Sequence, residues 1–180
     1  TVTARESFTV TDPEFLSMVL DEETVYVAAG GLYAFDREVG HETWSLPRPK
    51  RKRHYGRPLL EEDGDTLWVG AAGRTVEQDV KLRCINTDTG EITEAIDVGP
   101  GIESSPIQSD TSLGTGEIII SCNDSTARAY STLTHINDWT VRTEESVHHS
   151  PAIADGIGVV CDNGGTAIAF NTDDGTVQWE

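Results

Sequence analysis

One eleven-residue pattern occurs four times in this chain, and a sequence that repeats a single supersecondary unit at near-constant spacing must stack those units or close them into a ring. The copies run Ala34 to Trp44, Cys84 to Glu94, Ala129 to Trp139 and Ala169 to Trp179. Each begins with a small residue, places Asp36, Asn86, Ser131 or Asn171 two positions later, puts Gly40, Gly90, His135 or Gly175 at the seventh place, and ends at Trp44, Glu94, Trp139 or Trp179. The last positions are 50, 45 and 40 residues apart. That period is the length of a propeller blade.

A second element precedes three of the copies: a Pro, a short apolar alternation and an acidic turn, at Pro58 to Gly64, Pro106 to Asp110 and Pro151 to Gly156. Between the two elements lie β-rich runs such as Thr66-Leu67-Trp68-Val69, Glu117-Ile118-Ile119-Ile120 and Ile157-Gly158-Val159-Val160. Each unit therefore offers four short strands bounded by Gly, Asp and Asn turns. No segment carries sustained helical periodicity. The reading is an all-β fold of four-stranded antiparallel blades, spanning approximately 13–46, 57–98, 104–141 and 149–180, with an inter-blade loop at 47–57.

The spacing within the eleven-mer has a physical purpose. Asp36, Asn86, Ser131 and Asn171 have side chains suited to bond local backbone in the following turn, and the Gly supplies positive φ there. The Trp, four residues on, reaches the neighbouring blade and buries about 150–250 Å².

The chain has 31 acidic and 13 basic residues, for a net charge of −18. Carboxylates are dispersed along it, and Lys50, Lys52 and Lys81 are its only lysines, a balance that resembles the surfaces of proteins from salt-loving archaea. Punctuated apolar runs argue against a disordered acidic chain. At a Debye length of about 3 Å in 1 M salt, self-repulsion would be quenched, so the fold is expected to need salt. No run approaches the roughly 18 apolar residues of a spanning helix. Cys84, Cys122 and Cys161 form no C-x-x-C pair and read as packed small residues. No signal peptide opens the chain, and its two ends read as cut from a longer parent.

The four eleven-mers resemble the tryptophan-docking motif A-x-D-x-x-T-G-x-x-x-W of the pyrroloquinoline-quinone-like (PQQ-like) β-propeller repeat, over residues of about 18–180. The residues that carry it are Ala34, Asp36, Gly40, Trp44, Asn86, Gly90, Ala129, Trp139, Ala169, Asn171, Gly175 and Trp179. Cys84, Glu94 and His135 depart from it, which implies weaker docking in the second and third blades. The resemblance implies a ring of seven or eight blades, of which four are half. It admits two activities: a non-catalytic scaffold that binds protein or ligand, and a PQQ- and calcium-dependent alcohol or sugar dehydrogenase. This chain has no adjacent Cys-Cys pair and no matching calcium constellation. Asp162-Asn163-Gly164 and Asn123-Asp124 read as tight turns, short of the six to eight oxygens that Ca²⁺ needs. No catalytic, cofactor or metal residue is assigned, and no cofactor is expected.

The segment from Pro47 to Arg57 holds six of the thirteen basic residues. Arg48, Lys50, Arg51, Lys52, Arg53, His54 and Tyr55 are candidate partner contacts in an exposed, extended loop, with His148 and His149 at the rim or channel. As neighbours on an extended segment, the two histidines point to opposite sides, which argues against a shared metal. An acidic protein or a second copy of the chain is the expected partner of the loop, ahead of a nucleic acid or other polyanion, whose attraction fades in salt. An open half-ring leaves apolar faces uncovered, so pairing with a second copy or with further blades is expected. The Asn123-Asp124-Ser125 triplet fits a glycosylation acceptor and points to an extracellular or cell-surface setting.

Overall fold

The computed structural model describes residues 17–47, 54–72, 81–99, 101–102, 104–110 and 116–180. They form seventeen strands and, among the described residues, no helix. The first blade is β1 (Ser17–Leu20), β2 (Thr24–Ala28), β3 (Leu32–Asp36) and β4 (Glu42–Leu46), paired in that order. The second contains β5 (His54–Tyr55), β6 (Leu59–Leu60), β7 (Thr66–Ala72), β8 (Lys81–Asn86) and β9 (Ile92–Asp97), with β5 and β6 both pairing β7. β10 (Ile107–Asp110), β11 (Gly116–Cys122), β12 (Thr126–Ser131) and β13 (Asn137–Arg142) make the third. β14 (Ala152–Ala154), β15 (Ile157–Cys161), β16 (Ala167–Asn171) and β17 (Val177–Trp179) complete the fourth. All pairings are antiparallel, as hairpin-linked neighbours must be. The chain is thus all-β, a partial propeller of four blades.

Register shows why the eleven-mer repeats. Ala34, Cys84, Ala129 and Ala169 lie opposite Trp44, Glu94, Trp139 and Trp179 on the outer strand, and each pair is followed by a bulge. The bulge adds local twist and aims the last residue toward the next blade.

The core lies between blades because alternate residues of each strand face opposite neighbours. Tyr26, Ala34 and Trp44 of the first blade meet Leu60, Leu67, Val69 and Ile85 of the second. Trp68, Leu82 and Cys84 meet Ile118, Ile120 and Tyr130. Ile119, Ala129 and Trp139 meet Val160 and Phe170. Burial at about 25 cal/mol per Å² of apolar surface makes these three seams the main source of cohesion.

The exposed extended loop expected at 47–57 is corrected at its end. His54–Tyr55 is a strand that pairs with Ala71 and Ala72, and Tyr55 is buried at 2% exposure. Burying the ring beneath Arg83, whose guanidinium lies 5.4 Å from its centroid and donates to its hydroxyl, outweighs leaving it in water. Tyr55 is a packing residue and not a partner contact.

Candidate functional site: inter-blade sockets and the axial mouth

Two kinds of site follow from the repeat. The first is the plug and socket that joins successive blades. In the turn after the third strand of each blade, the Asp, Asn or Ser side chain accepts from backbone: Asp36 from Glu38 and Val39, Asn86 from Thr89, Ser131 from Leu133 and Thr134, and Asn171 from Asp173. The seventh residue then turns left-handed, with φ of 74° at Gly40, 71° at Gly90, 57° at His135 and 71° at Gly175.

At two seams that turn is the socket for an indole. A Cβ on Gly90 would sit 2.6 Å from Trp44, and one on Gly175 would sit 2.9 Å from Trp139, so the glycines are required by close approach as well as by φ. The indole nitrogens donate across the seam, Trp44 to the Thr87 carbonyl at 2.6 Å and Trp139 to the Thr172 carbonyl at 3.0 Å. Trp139 also donates to Glu117 at 3.2 Å. Burial pushes the Glu117 carboxyl up to about 7; the Trp139 hydrogen bond opposes the rise, while Asp138 and Asp173 add to it.

The middle seam is built differently. Glu94 stands at the plug position and His135 at the socket position, with Oε1 and Nδ1 3.9 Å apart. The aromatic ring is supplied instead by Trp68 of β7, whose indole meets the His135 imidazole edge-on at 5.6 Å and donates to Glu61 at 2.7 Å. The two departures in the sequence are therefore matched partners at one seam, and Trp68 is the docking residue that the motif could not indicate. Cys84 lies below them, its thiol pushed up to about 12 by burial, with Glu61 and Glu94 adding to the rise.

The second site lies at the axis. The residues before the inner-strand prolines, Arg57, Ser105 and Ser150, converge there with Ser17, which holds the same place in the first blade. A cavity of about 410 Å³ is lined by Ser17, Met18, Val19, Arg57, Pro58 and Ser105, a volume suited to a small ligand or a side chain. Ser105 N–H donates to Ser150 Oγ at 2.9 Å, tying the third blade to the fourth. Ser17 Oγ is buried without a hydrogen-bond partner, and Arg57 is exposed, with no carboxylate paired to it among the described residues. His148 and His149 are exposed immediately before Ser150.

Arg48, Lys50, Arg51, Lys52 and Arg53 lie outside the described residues, as does the side chain of His54. Cys84, Cys122 and Cys161 are free thiols; Cys84 and Cys122 are buried, but Cys161 is exposed and is not the packed residue expected. The carboxylates considered for calcium have local partners. Asp162 accepts from Thr166 and Glu145, and the Thr166 N–H foremost holds its carboxyl below the usual range; Asp124 is taken by Thr126 and Arg128. Among the described residues no group of three His, Cys, Asp or Glu gathers to hold a metal. Asn123 packs its amide against Gly101, with Oδ1 buried, a poor setting for a glycan.

The comparisons with known proteins agree with this geometry. The chain is similar over 90% of its length to the crystal structure of BamB from Moraxella catarrhalis, at 18% identity and a TM-score of 0.70. It spans only 46% of that protein. It is also similar to two computationally designed proteins. Ika4 is matched over 94% of this chain and 99% of its own, at 13% identity and TM-score 0.72, and Ika8 over 91% and 48%, at 14% and 0.71. No curated protein matches. A family model described as outer membrane protein assembly factor BamB matches residues 78–180, more than half of the chain. With four blades joined by tryptophan sockets and that match, the chain belongs to the PQQ-like β-propeller family of the assembly factor BamB.

Proposed function

We propose that this chain is a non-catalytic propeller scaffold that holds a protein or ligand at its axial mouth and rim. The observation that carries this reading is the division of labour among its side chains. The repeated Asp and Asn side chains are committed to turns, and Trp44 and Trp139 with Gly90 and Gly175 to seams. Ser17 and Arg57, which have no partner among the described residues, face one axial cavity, whereas Ser121 Oγ and Thr172 Oγ1, also without a partner, are fully buried away from it. Rigid frames presenting a few free polar groups are binding platforms. The family match to an assembly factor supports a protein as the occupant.

Arg57 is a cation in a chain of net charge −18, so an acidic group on the occupant is favoured there. The same charge suits a medium of high ionic strength, such as that of a salt-loving archaeon. The extracellular or cell-surface setting rests on the Asn123-Asp124-Ser125 triplet, beside a family described by an outer membrane protein assembly factor. No observation favours the quinone-dependent dehydrogenase, and the polyanion reading rests on the basic segment outside the described residues.

Two titrations in molar KCl test the proposal. Acidic peptides should bind and lose affinity in Arg57→Ser, whereas equal binding would count against the axial mouth. Pyrroloquinoline quinone with Ca²⁺, followed by absorbance and heat, should give no saturable signal; Ca²⁺-dependent saturation would replace the scaffold with an oxidoreductase.

A further inference from the structure

The turn between β12 and β13 departs from its three counterparts in more than His135. At the fifth and eighth places of the eleven-mer the other copies carry Glu38 and His41, Asp88 and Glu91, or Asp173 and Thr176, all polar, whereas the third carries Leu133 and Ile136. These two are 72% and 64% exposed, and Leu133 is the most exposed large apolar side chain among the described residues. The third blade is packed on both sides, against Trp68 and Leu82 of the second and Val160 and Phe170 of the fourth, and neither seam covers them. Their exposure is a property of the turn itself.

The turn is held from several directions. Ser131 Oγ accepts from Leu133 and Thr134, the His135 N–H donates to the Ser131 carbonyl at 2.9 Å, and Thr132 donates through both its N–H and its hydroxyl to the Gly116 carbonyl. The His135 imidazole lies against Trp68, and its φ of 57° is one that a side chain adopts only under constraint. Two aliphatic side chains thus stand on a preorganised tip, which lowers the entropy cost of binding. Carboxylates surround them: Glu94 lies 3.9 Å from His135, Asp138 is exposed two residues past Ile136, and Glu61 accepts from Trp68. Among the described residues no Lys or Arg forms an ion pair with any of the three. The tip is at the far end of the blade from the axial mouth, since Thr132 bonds Gly116 at the start of β11 whereas Ser104, beside Ser105, bonds Ser121 near its finish.

We propose that the turn at residues 133–136 is a docking knob for a basic amphipathic segment of a partner protein, whose apolar side chains cover Leu133 and Ile136 while its Lys or Arg groups meet Glu61, Glu94 and Asp138. Charge complementarity selects this occupant: apolar contact at the centre supplies affinity, and unpaired carboxylates around it favour a cationic rim, reject an acidic one and set orientation. A surface of anionic headgroups would meet the same carboxylates with like charge. The knob is a second surface, separate from the axial mouth, and does not require the mouth to be occupied.

Fluorescence anisotropy with a labelled synthetic helix of about 14 leucine and lysine residues tests it, in about 1 M KCl so that attraction to the net charge at long range is screened. Leu133→Ser with Ile136→Ser should weaken binding at least about tenfold, the effect expected of anchor residues. Both sites are exposed, so the circular dichroism spectrum and melting temperature should stay as they are. Val39→Ser, at an exposed apolar residue in the corresponding turn of the first blade, should leave binding unchanged. So should Arg57→Ser, which separates the knob from the axial mouth. A counterpart helix of leucine and glutamate should bind at least about tenfold more weakly than the lysine one. Equal binding by the double variant, an equal loss in Val39→Ser, or equal affinity for the two helices would overturn the proposal. Cosedimentation with phosphatidylcholine vesicles that is lost in the double variant would overturn it in favour of a lipid surface.

Discussion

Glu94 and His135 occupy, across one seam, the positions that a tryptophan and a glycine hold across the two others, with Oε1 and Nδ1 3.9 Å apart. His135 keeps the left-handed turn at φ 57° although it carries a side chain, and its ring lies against Trp68. The two substitutions make sense only together. An indole at residue 94 would meet the imidazole, and a glycine at residue 135 would leave Trp68 without its edge contact.

Non-additivity is the expected signature. Glu94→Trp alone should lower the melting temperature, and adding His135→Gly should restore much of the loss by recreating a socket. A double-mutant cycle by thermal unfolding should give a coupling energy of about 0.5–3 kcal/mol. Additive effects would mean that residues 94 and 135 do not share a seam.

Trp139 is 8% exposed and bonds both Thr172 and Glu117. Truncating it to Ala should cost about 3–5 kcal/mol, as for other buried aromatics. Trp44 is only half-buried, so Trp44→Ala should cost less. Denaturant midpoints check the order.

The Glu117 carboxyl has a folded value raised to about 7 from an ordinary 4.5. A raised acid favours the folded state in its neutral form, so its contribution is full below about pH 4.5 and is lost as pH climbs to about 7. Glu117→Gln should therefore raise the melting temperature at pH 8, by about 2–4 °C for each kcal/mol recovered, and change little at pH 4. A gain of equal size at both values would rule out titration as the cause.

Stability should increase with KCl up to about 1 M, where the Debye length shrinks to about 3 Å and repulsion among the excess carboxylates is screened. A melting temperature independent of KCl would show that dispersed acids set no salt requirement.

Gly90→Ala and Gly40→Ala share a turn conformation but differ in surroundings, which separates strain from contact. Both carry the cost of a positive φ, about 1 kcal/mol, but only Gly90→Ala drives a methyl to 2.6 Å from Trp44. Gly90→Ala should therefore be the more destabilising, as read by thermal unfolding.

The sequence by itself determined the repeat, the strand content and the turn chemistry, because these are local. An Asp or Asn two residues into the motif caps the next turn, and a glycine seven residues in permits positive φ, whatever lies around them. Tertiary structure alone decided which departures belong together, since Glu94 and His135 are 41 positions apart and meet only because successive blades pack. It likewise took Tyr55 out of the basic segment and into the core, where burying a ring under Arg83 outweighs keeping it exposed. It also distinguished three outwardly equal tryptophans. Trp44 and Trp139 dock on a following blade, whereas Trp179 is exposed among the described residues, a difference of surroundings that identical local sequence cannot encode.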